Sequence, residues 1–224
     1  MIIAIDGPAA SGKSTVARAL ARRIGAHYLD TGAMYRAVAL AALQRGVPLA
    51  DEHAVATLAG TLSIEFIHAD DSPIPTAVLL DNADITTAIR TPAVDDAVSA
   101  VARMPEVRAA MVAQQRRIAA EANAIVLEGR DIGTVVFPHA EVKVFLTASA
   151  GERARRRHAE MTGRGHSVDE DTVRSGLQRR DHADSSREAA PLTAAEDAVM
   201  LDTTGLSVTE VVDAVAALVE RVTP

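Results

Sequence analysis

The chain has no cysteine and no tryptophan, and aromatic residues make up only 2% of its 224 residues. Without cysteine there is neither a disulfide framework nor a thiolate metal site, so a bound metal must be held by oxygen, and a reducing compartment suits the sequence. With so few rings there is no stacking platform for single-stranded nucleic acid. Lysine is nearly absent too: Lys13 and Lys143 stand against 21 arginines. Acidic residues outnumber basic ones, 30 to 23, and the formal charge of −7 argues against broad binding to nucleic acid, whose phosphates reward a basic face. No apolar run approaches the length of a membrane span, and Met1 leads straight into a short apolar segment without a basic leader or cleavage site. These absences predict a soluble cytoplasmic protein that binds neither nucleic acid nor membrane, with enough chain for one full core.

One of the two lysines sits where chemistry asks for it. Gly7-Pro8-Ala9-Ala10-Ser11-Gly12-Lys13-Ser14 fits the pattern G-x4-G-K-[ST], and Thr15 follows it. Upstream, Met1–Ile5 reads as a buried strand; downstream, Val16, Leu20 and Ile24 recur four apart as a helical stripe that Gly25 can end. A loop in that context cradles phosphate: backbone N–H groups converge on the anion at the positive end of the helix dipole. Lys13 can then reach the β and γ oxygens, and the Ser14 hydroxyl can face Mg2+ alongside phosphate and water.

The rest of the chain alternates. His27–Leu29 reads as a second strand ending at Asp30, and a helix follows to about Gly46. Asp51 is placed to cap the next helix, which carries Val55 and Leu58 toward the core. From Leu62 the period changes to two, with a turn at Asp70–Pro73 and a second strand over Ala77–Leu80, so residues 62–92 read as a small antiparallel insert. Helical sequence resumes near Ala93, breaks at Pro105 and continues to about Ala122. Two apolar strands come next, Ala124–Leu127 and Val142–Leu146, then an arginine-rich helix, the flexible Gly163-Arg164-Gly165, and a helix over about 168–182. A last strand at Ala198–Leu201 precedes a helix opened by the capping box Ser207-Val-Thr-Glu210. Five strands separated by helices predict an open parallel sheet with helices on both faces. Ligands sit beyond the carboxyl ends of such strands, so the segments at Gly7, Asp30, Glu128 and Thr147 are expected around one cleft.

Phosphoryl transfer needs phosphates held in line and cations on the transferring group. Arg36, Arg108, Arg130, Arg153, Arg157, Arg180 and Arg187 lie near strand ends or in flexible segments, and guanidinium forks match phosphate geometry. Arg130 is the sharpest case, because it follows a strand directly in Leu127-Glu-Gly-Arg-Asp131. Asp131 beside it can read a base edge, order Mg2+-bound water or pair with its own arginine. Arg116 and Arg156 read as solvated, and the histidines have no metal-ligand spacing.

Several ordered stretches, spread over almost the whole chain, resemble the bacterial cytidylate kinases, a branch of the P-loop nucleoside monophosphate kinases. They are Ile5-Asp6-Gly7-Pro8 with the loop, Leu29-Asp-Thr-Gly-Ala-Met-Tyr-Arg36, Glu128-Gly-Arg-Asp-Ile-Gly-Thr-Val-Val-Phe-Pro138, and Arg180-Asp181 running on to Asp184, Arg187 and Ala190-Pro191-Leu192. The resemblance implies a P-loop kinase fold in one domain over 1–224, with 62–92 as a monophosphate-binding insert and 153–167 as a short lid. It implies transfer of a phosphoryl group from ATP, bound at Gly7–Thr15 with Mg2+, to CMP or dCMP, by a monomer. Thr31, Arg36 and Arg130 would contact the acceptor phosphate; Ser99, Arg108 and Asp131 would read the cytosine; Arg180 and Asp184 would hold the ribose. Lys13, Arg130 and Arg187 would attend the transferring phosphates, with Arg153 and Arg157 closing over ATP. Rival readings are a kinase of UMP, AMP or a small metabolite such as shikimate, and a GTP-dependent switch. For the switch, Asp202-Thr-Thr-Gly205 matches D-x-x-G, but no N-K-x-D occurs, and the segment reads as a loop.

Overall fold

Apolar strands without polar alternation demand cover on both faces, and that demand organises the molecule. In the computed structural model, which describes residues 1–69, 72–165 and 167–222, β1 (Ile2–Asp6) feeds α1 (Lys13–Ile24), and β2 (His27–Asp30) runs directly into α2 (Thr31–Gln44). Then come α3 (Glu52–Thr61), the short strands β3 (Ile64–His68), β4 (Pro75–Leu80) and β5 (Ala83–Asp84), and the helices α4 (Pro92–Arg103) and α5 (Pro105–Ala120). The second half contains β6 (Ile125–Gly129), β7 (Val142–Thr147), α6 (Ala150–Gly163), α7 (Glu170–Ser186), β8 (Val199–Asp202) and α8 (Val208–Val222). Asp70, Asp71 and His166, part of the expected turn and of the 153–167 span, lie outside the described residues.

Five strands form the expected parallel sheet in the order β2-β6-β1-β7-β8. Alternation along each strand sends Ala4, Leu29, Ile125 and Leu127 to the face covered by α2 to α5. Ile3, Ile5, Val126, Val144 and Leu146 go to the other, where Val16 and Leu20 of α1 meet Val211, Val215 and Val219 of α8. Leu20 and Leu127 are fully buried, each worth about 1.5–3 kcal/mol relative to exposure. The second lysine serves this sheet: Lys143, on β7, is buried and its Nζ donates to both carboxylate oxygens of Asp197, at 2.8 and 2.7 Å.

Local signals act as the sequence predicts. Gly25 ends α1 with φ 65°, a conformation that suits glycine. The Asp51 carboxylate accepts from Ala54 N at 3.0 Å, and Ser207 N donates to Glu210 Oε2 at 2.8 Å while Glu210 N donates back to Ser207 Oγ at 3.3 Å. Asp30 caps α2 by accepting from Ala33 N at 3.1 Å, which leaves no loop between strand and helix and puts Thr31 at the strand's carboxyl end.

The insert is antiparallel and has three strands, β3-β4-β5, rather than the two read from the sequence. The third consists of two residues, too short to leave a periodic signal. Its hairpin is tied back to the main sheet by Tyr28 N donating to Pro73 O at 3.0 Å, with Ile74 buried in the core cluster around α1. Two further differences concern helices. α7 runs over Glu170–Ser186, capped by Asp169, whose Oδ1 accepts from Thr172 N at 2.8 Å, and so ends later than the expected 182. Ile132–Val136, for which the sequence suggests no element, forms a turn of π-helix.

Candidate active site

The carboxyl ends of the parallel strands open into a cleft of about 880 Å3. At one end lies the loop between β1 and α1. Gly7 has φ 146°, and a Cβ there would run into the Leu146 carbonyl oxygen, so only glycine lets β1 turn against β7. Lys13 is buried and its Nζ donates to Pro8 O at 2.6 Å, folding the side chain back along the loop. Burial and, next, the charge of Arg130 pull its pKa down to about 7, against the attraction of Glu128 and Asp6. An ammonium this short of compensating charge gains from any anion brought beside it.

Ser14 Oγ donates to Glu128 Oε2 at 2.8 Å, and Tyr28 OH donates to the other oxygen of the same carboxylate. Glu128 is 4% exposed, and burial, with Asp30 adding to it, raises its pKa. A hydroxyl and a carboxylate side by side at the loop are hard oxygen donors of the kind Mg2+ takes. No group of three or more histidine, aspartate or glutamate side chains among the described residues could hold a metal ion by itself. The donor set therefore fits a metal that keeps water and is completed by phosphate.

Arginines ring the middle of the cleft, and carboxylates hold them. Arg130 Nε donates to Asp184 Oδ2 at 2.8 Å. Arg36 Nη2 donates to Asp95 Oδ1 at 2.5 Å, and Arg157 Nη2 to Asp95 Oδ2 at 2.8 Å. Arg180 is the most crowded: burial, then the charges of Arg130 and Arg36, lower its pKa to about 10. At Asp184 burial pushes upward, but the charges of Arg130, Arg180 and Arg187 and the hydrogen bond from Arg130 together outweigh it and leave the carboxyl below its ordinary range. Thr31 Oγ1 donates to Glu128 O at 2.7 Å, which fixes it beside Arg130 at the strand ends. At the far end Arg108 Nη2 donates to Asp131 Oδ2, Arg187 Nη2 lies 3.9 Å from Asp131 Oδ1, and Ser99 completes the wall.

Asp6, at the end of β1, shapes this end of the sheet. Its carboxylate accepts from Ile132 N at 2.9 Å and Gly133 N at 2.7 Å, which wraps the chain after Asp131 into the π turn. Burial raises its pKa from 3.8 to about 6 although both backbone donors oppose it. Between those values the folded protein keeps a proton that the unfolded chain releases, so raising the pH through this window weakens folding. Relative to Asp6→Asn, the unsubstituted protein should lose up to about 3 kcal/mol between roughly pH 4 and 6, read from urea midpoints at successive pH values. A pH-independent difference between the two proteins would refute the assignment.

Comparison with known proteins adds an independent line. The family model described as Cytidylate kinase matches residues 3–221. The chain belongs to the cytidylate kinase family. It is 48% identical over 221 residues to the cytidylate kinase of Carboxydothermus hydrogenoformans, covering 99% of this chain and 98% of that protein. It is 52% identical over 219 residues to that of Geobacillus kaustophilus, covering 98% and 96%. Among solved structures, an uncharacterized protein from Eubacterium ventriosum shares the fold, with a TM-score of 0.52 at 12% identity over 98% of both chains. The five-stranded parallel sheet and antiparallel insert are those expected of a P-loop kinase in this family.

Most residues singled out from the sequence meet in this one cleft. Ala9 to Thr15 line its loop end; Thr31, Arg36, Arg130, Arg157, Arg180 and Asp184 its middle; Ser99, Arg108, Asp131 and Arg187 its far end. Gly7 and Pro8 shape the loop from outside the lining. Arg153 is also behind it, donating to Ala9 O at 3.2 Å and to Asp181 at 2.5 Å. Arg156 is not solvated, contrary to the expectation from sequence. Its Nη1 donates to Thr203 Oγ1 at 2.9 Å and its Nη2 to Thr203 O at 2.8 Å, and it lines the cleft with Leu206, Ser207 and Val208. Arg116 is exposed as expected, and spends two nitrogens on the carbonyls of Val135 and Val136. The wall beyond Thr203 follows the fifth strand, and the strand-end rule points there as much as to the other four. Thr147, expected at the cleft, instead accepts from Thr203 Oγ1 at 2.9 Å. No helix among the described residues is long and apolar enough to cross a membrane.

Proposed function

We propose that the protein transfers the γ-phosphoryl group of ATP to CMP or dCMP, giving ADP and CDP or dCDP. The observation that carries this reading is the single cleft with a phosphate loop at one end, an Arg108–Asp131 pair at the other and a ring of guanidinium groups between them. Gly7–Thr15 hold the ATP phosphates, with Lys13 turning from Pro8 O toward the β and γ oxygens. Ser14 and Glu128 would hold Mg2+ together with phosphate and water; the metal, when bound, neutralises charge on the phosphates. The donor's base lies toward Arg156 and the Thr203–Val208 wall.

On the acceptor side Thr31, Arg36 and Arg130 take the monophosphate, while Arg180 and Asp184 hold the ribose. Ser99, Arg108 and Asp131 read the base: a guanidinium and a carboxylate complement the carbonyl, ring nitrogen and amino group of cytosine. Uracil in the same place leaves a buried carboxylate facing a carbonyl, which costs affinity. Arg187 approaches the phosphates from the far end. Arg153 and Arg157 belong to the lid at 153–167, whose closure excludes the water that would otherwise hydrolyse ATP, while the 62–92 insert enlarges the monophosphate-binding side. The chain acts as a monomer in the cytoplasm on this reading.

The test is Mg2+-dependent ADP release, followed by a coupled assay, with CMP, dCMP, UMP, AMP, GMP and shikimate offered separately. Strong release with CMP and dCMP alone is expected. Release with a different acceptor, or without any, would leave the phosphate loop standing and overturn the base assignment.

A further inference from the structure

Asp95 belongs to none of the binding groups named above, yet two arginines of the cleft depend on it. It sits in the first turn of α4, 59 residues from Arg36 and 62 from Arg157 along the chain, and offers one carboxylate oxygen to each. The three side chains are 23%, 14% and 20% exposed. Arg36 and Arg157 line the cleft, whereas Asp95 does not. It stands behind them. Other carboxylates of this cleft, Asp30, Glu128, Asp131 and Asp184 among them, are in the lining, where a ligand can meet them.

We propose that Asp95 is a positioning residue for the transfer, a shared carboxylate that fixes Arg36 of α2 and Arg157 of α6 relative to one another from behind the cleft. The inference rests on the phosphotransferase reading above. Arg36 is held at two points, by Asp95 through Nη2 and by the Ile89 carbonyl through Nη1 at 3.0 Å. Arg157 is likewise held by Asp95 and, through Nη1, by Glu160 Oε2 at 2.9 Å. Each guanidinium has five N–H donors, so those remaining can turn to phosphate while the fork stays anchored. Two oxygens are needed for two forks. An amide in the same place has one acceptor, and its NH2 group would face a second cation. Arg180 stands close enough to contribute to the field at Asp95, so loss of this charge removes the one carboxylate that Arg36 and Arg157 share and leaves less negative charge between the guanidinium groups of α2, α6 and α7. Asp95 thereby couples the arm that takes the acceptor phosphate to the helix that closes over the donor, and reaction geometry is sensitive to such couplings: a displacement of about 1 Å can cost about 100-fold in rate.

The experiment compares the unsubstituted protein with Asp95→Asn, Asp95→Glu, Arg157→Gln and the Asp95→Asn/Arg157→Gln double variant. The readouts are kcat and KM with CMP and ATP, ATP affinity by calorimetry and the thermal midpoint. Asp95→Asn should keep its midpoint within a few degrees and bind ATP within about 3-fold, while kcat falls by about 100-fold. Asp95→Glu, with both acceptor oxygens retained, should recover part of the rate. The double variant should lose less than the product of the single losses, because the carboxylate acts through Arg157. Unchanged turnover in Asp95→Asn, multiplicative losses in the double variant, or an Asn variant that does not fold while Asp95→Glu restores fold and rate together would each overturn the positioning role. Absence of CMP-dependent ADP release in the unsubstituted protein would overturn the phosphotransferase reading and this inference with it; normal release there and in Asp95→Asn would overturn the inference alone.

Discussion

Arg130→Lys is expected to leave ATP bound at the phosphate loop and to lower kcat for transfer to CMP by about 100- to 1000-fold, the effect of losing one preorganised donor to developing charge. Arg130 follows β6 directly, and its guanidinium is anchored through Nε to Asp184 Oδ2 at 2.8 Å. Its one bond through Nη1 is long, 3.4 Å to the neighbouring Gly129 carbonyl, so the planar end of the fork is open toward the cleft. A lysine offers a single point of charge: it can pair with Asp184 or reach a phosphate, and it cannot present parallel N–H bonds while anchored elsewhere. Arg130 also bears on Lys13, because its charge is the second cause, after burial, of the lowered pKa there. A more mobile ammonium changes that balance, so ATP affinity by calorimetry belongs beside kcat from the coupled assay. Intact ATP binding with lost turnover supports the role on the transferring phosphoryl group. Turnover within about 3-fold of the unsubstituted protein would exclude it.

The parts of this site that can be read from sequence are those in which neighbours along the chain are neighbours in space. Gly7–Ser14 declares itself because strand, loop and helix are contiguous, and Arg130 and Asp131 because a strand ends one or two residues before them. Gly25, Asp51 and the Ser207–Glu210 box act within a single turn, and each does what its spacing predicts. What could not be read depends on pairing at a distance. Asp6 reaches across 126 residues to Ile132 N, and the π turn exists because that carboxylate gathers two successive backbone donors. Nothing in the local spelling of Ile132–Val136 says so. Arg156 looks like any exposed position on an arginine-rich helix until the loop after β8 arrives over it and supplies the Thr203 hydroxyl and carbonyl. Asp95 carries no motif at all; its meaning comes from α2 and α6 arriving on either side of it.

Asp131 shows how the structure changes the substitution that should be made. From sequence, Asp131→Ala looks like the direct way to remove a base-reading carboxylate. In the folded protein the Asp131 and Arg108 side chains are each only 6% exposed and are paired with one another, with Arg187 Nη2 3.9 Å from the second oxygen. Alanine would strand the Arg108 guanidinium in the interior, a loss of about 3–5 kcal/mol for a broken buried pair, and a fall in activity would then report folding as much as recognition. Asp131→Asn keeps the shape and one acceptor for Arg108 and replaces the other oxygen with an NH2 donor. That exchange inverts what the base meets: the amino group of cytosine finds a donor where it needs an acceptor, and the corresponding carbonyl of uracil finds a partner. The ratio of kcat/KM for CMP over UMP should therefore fall by about 10- to 100-fold, as expected when one or two buried hydrogen bonds are redirected. The shift should come from both sides, with CMP poorer and UMP better, whereas a loosened fold would weaken both acceptors together. An unchanged ratio would remove Asp131 from base recognition and leave it as the structural partner of Arg108.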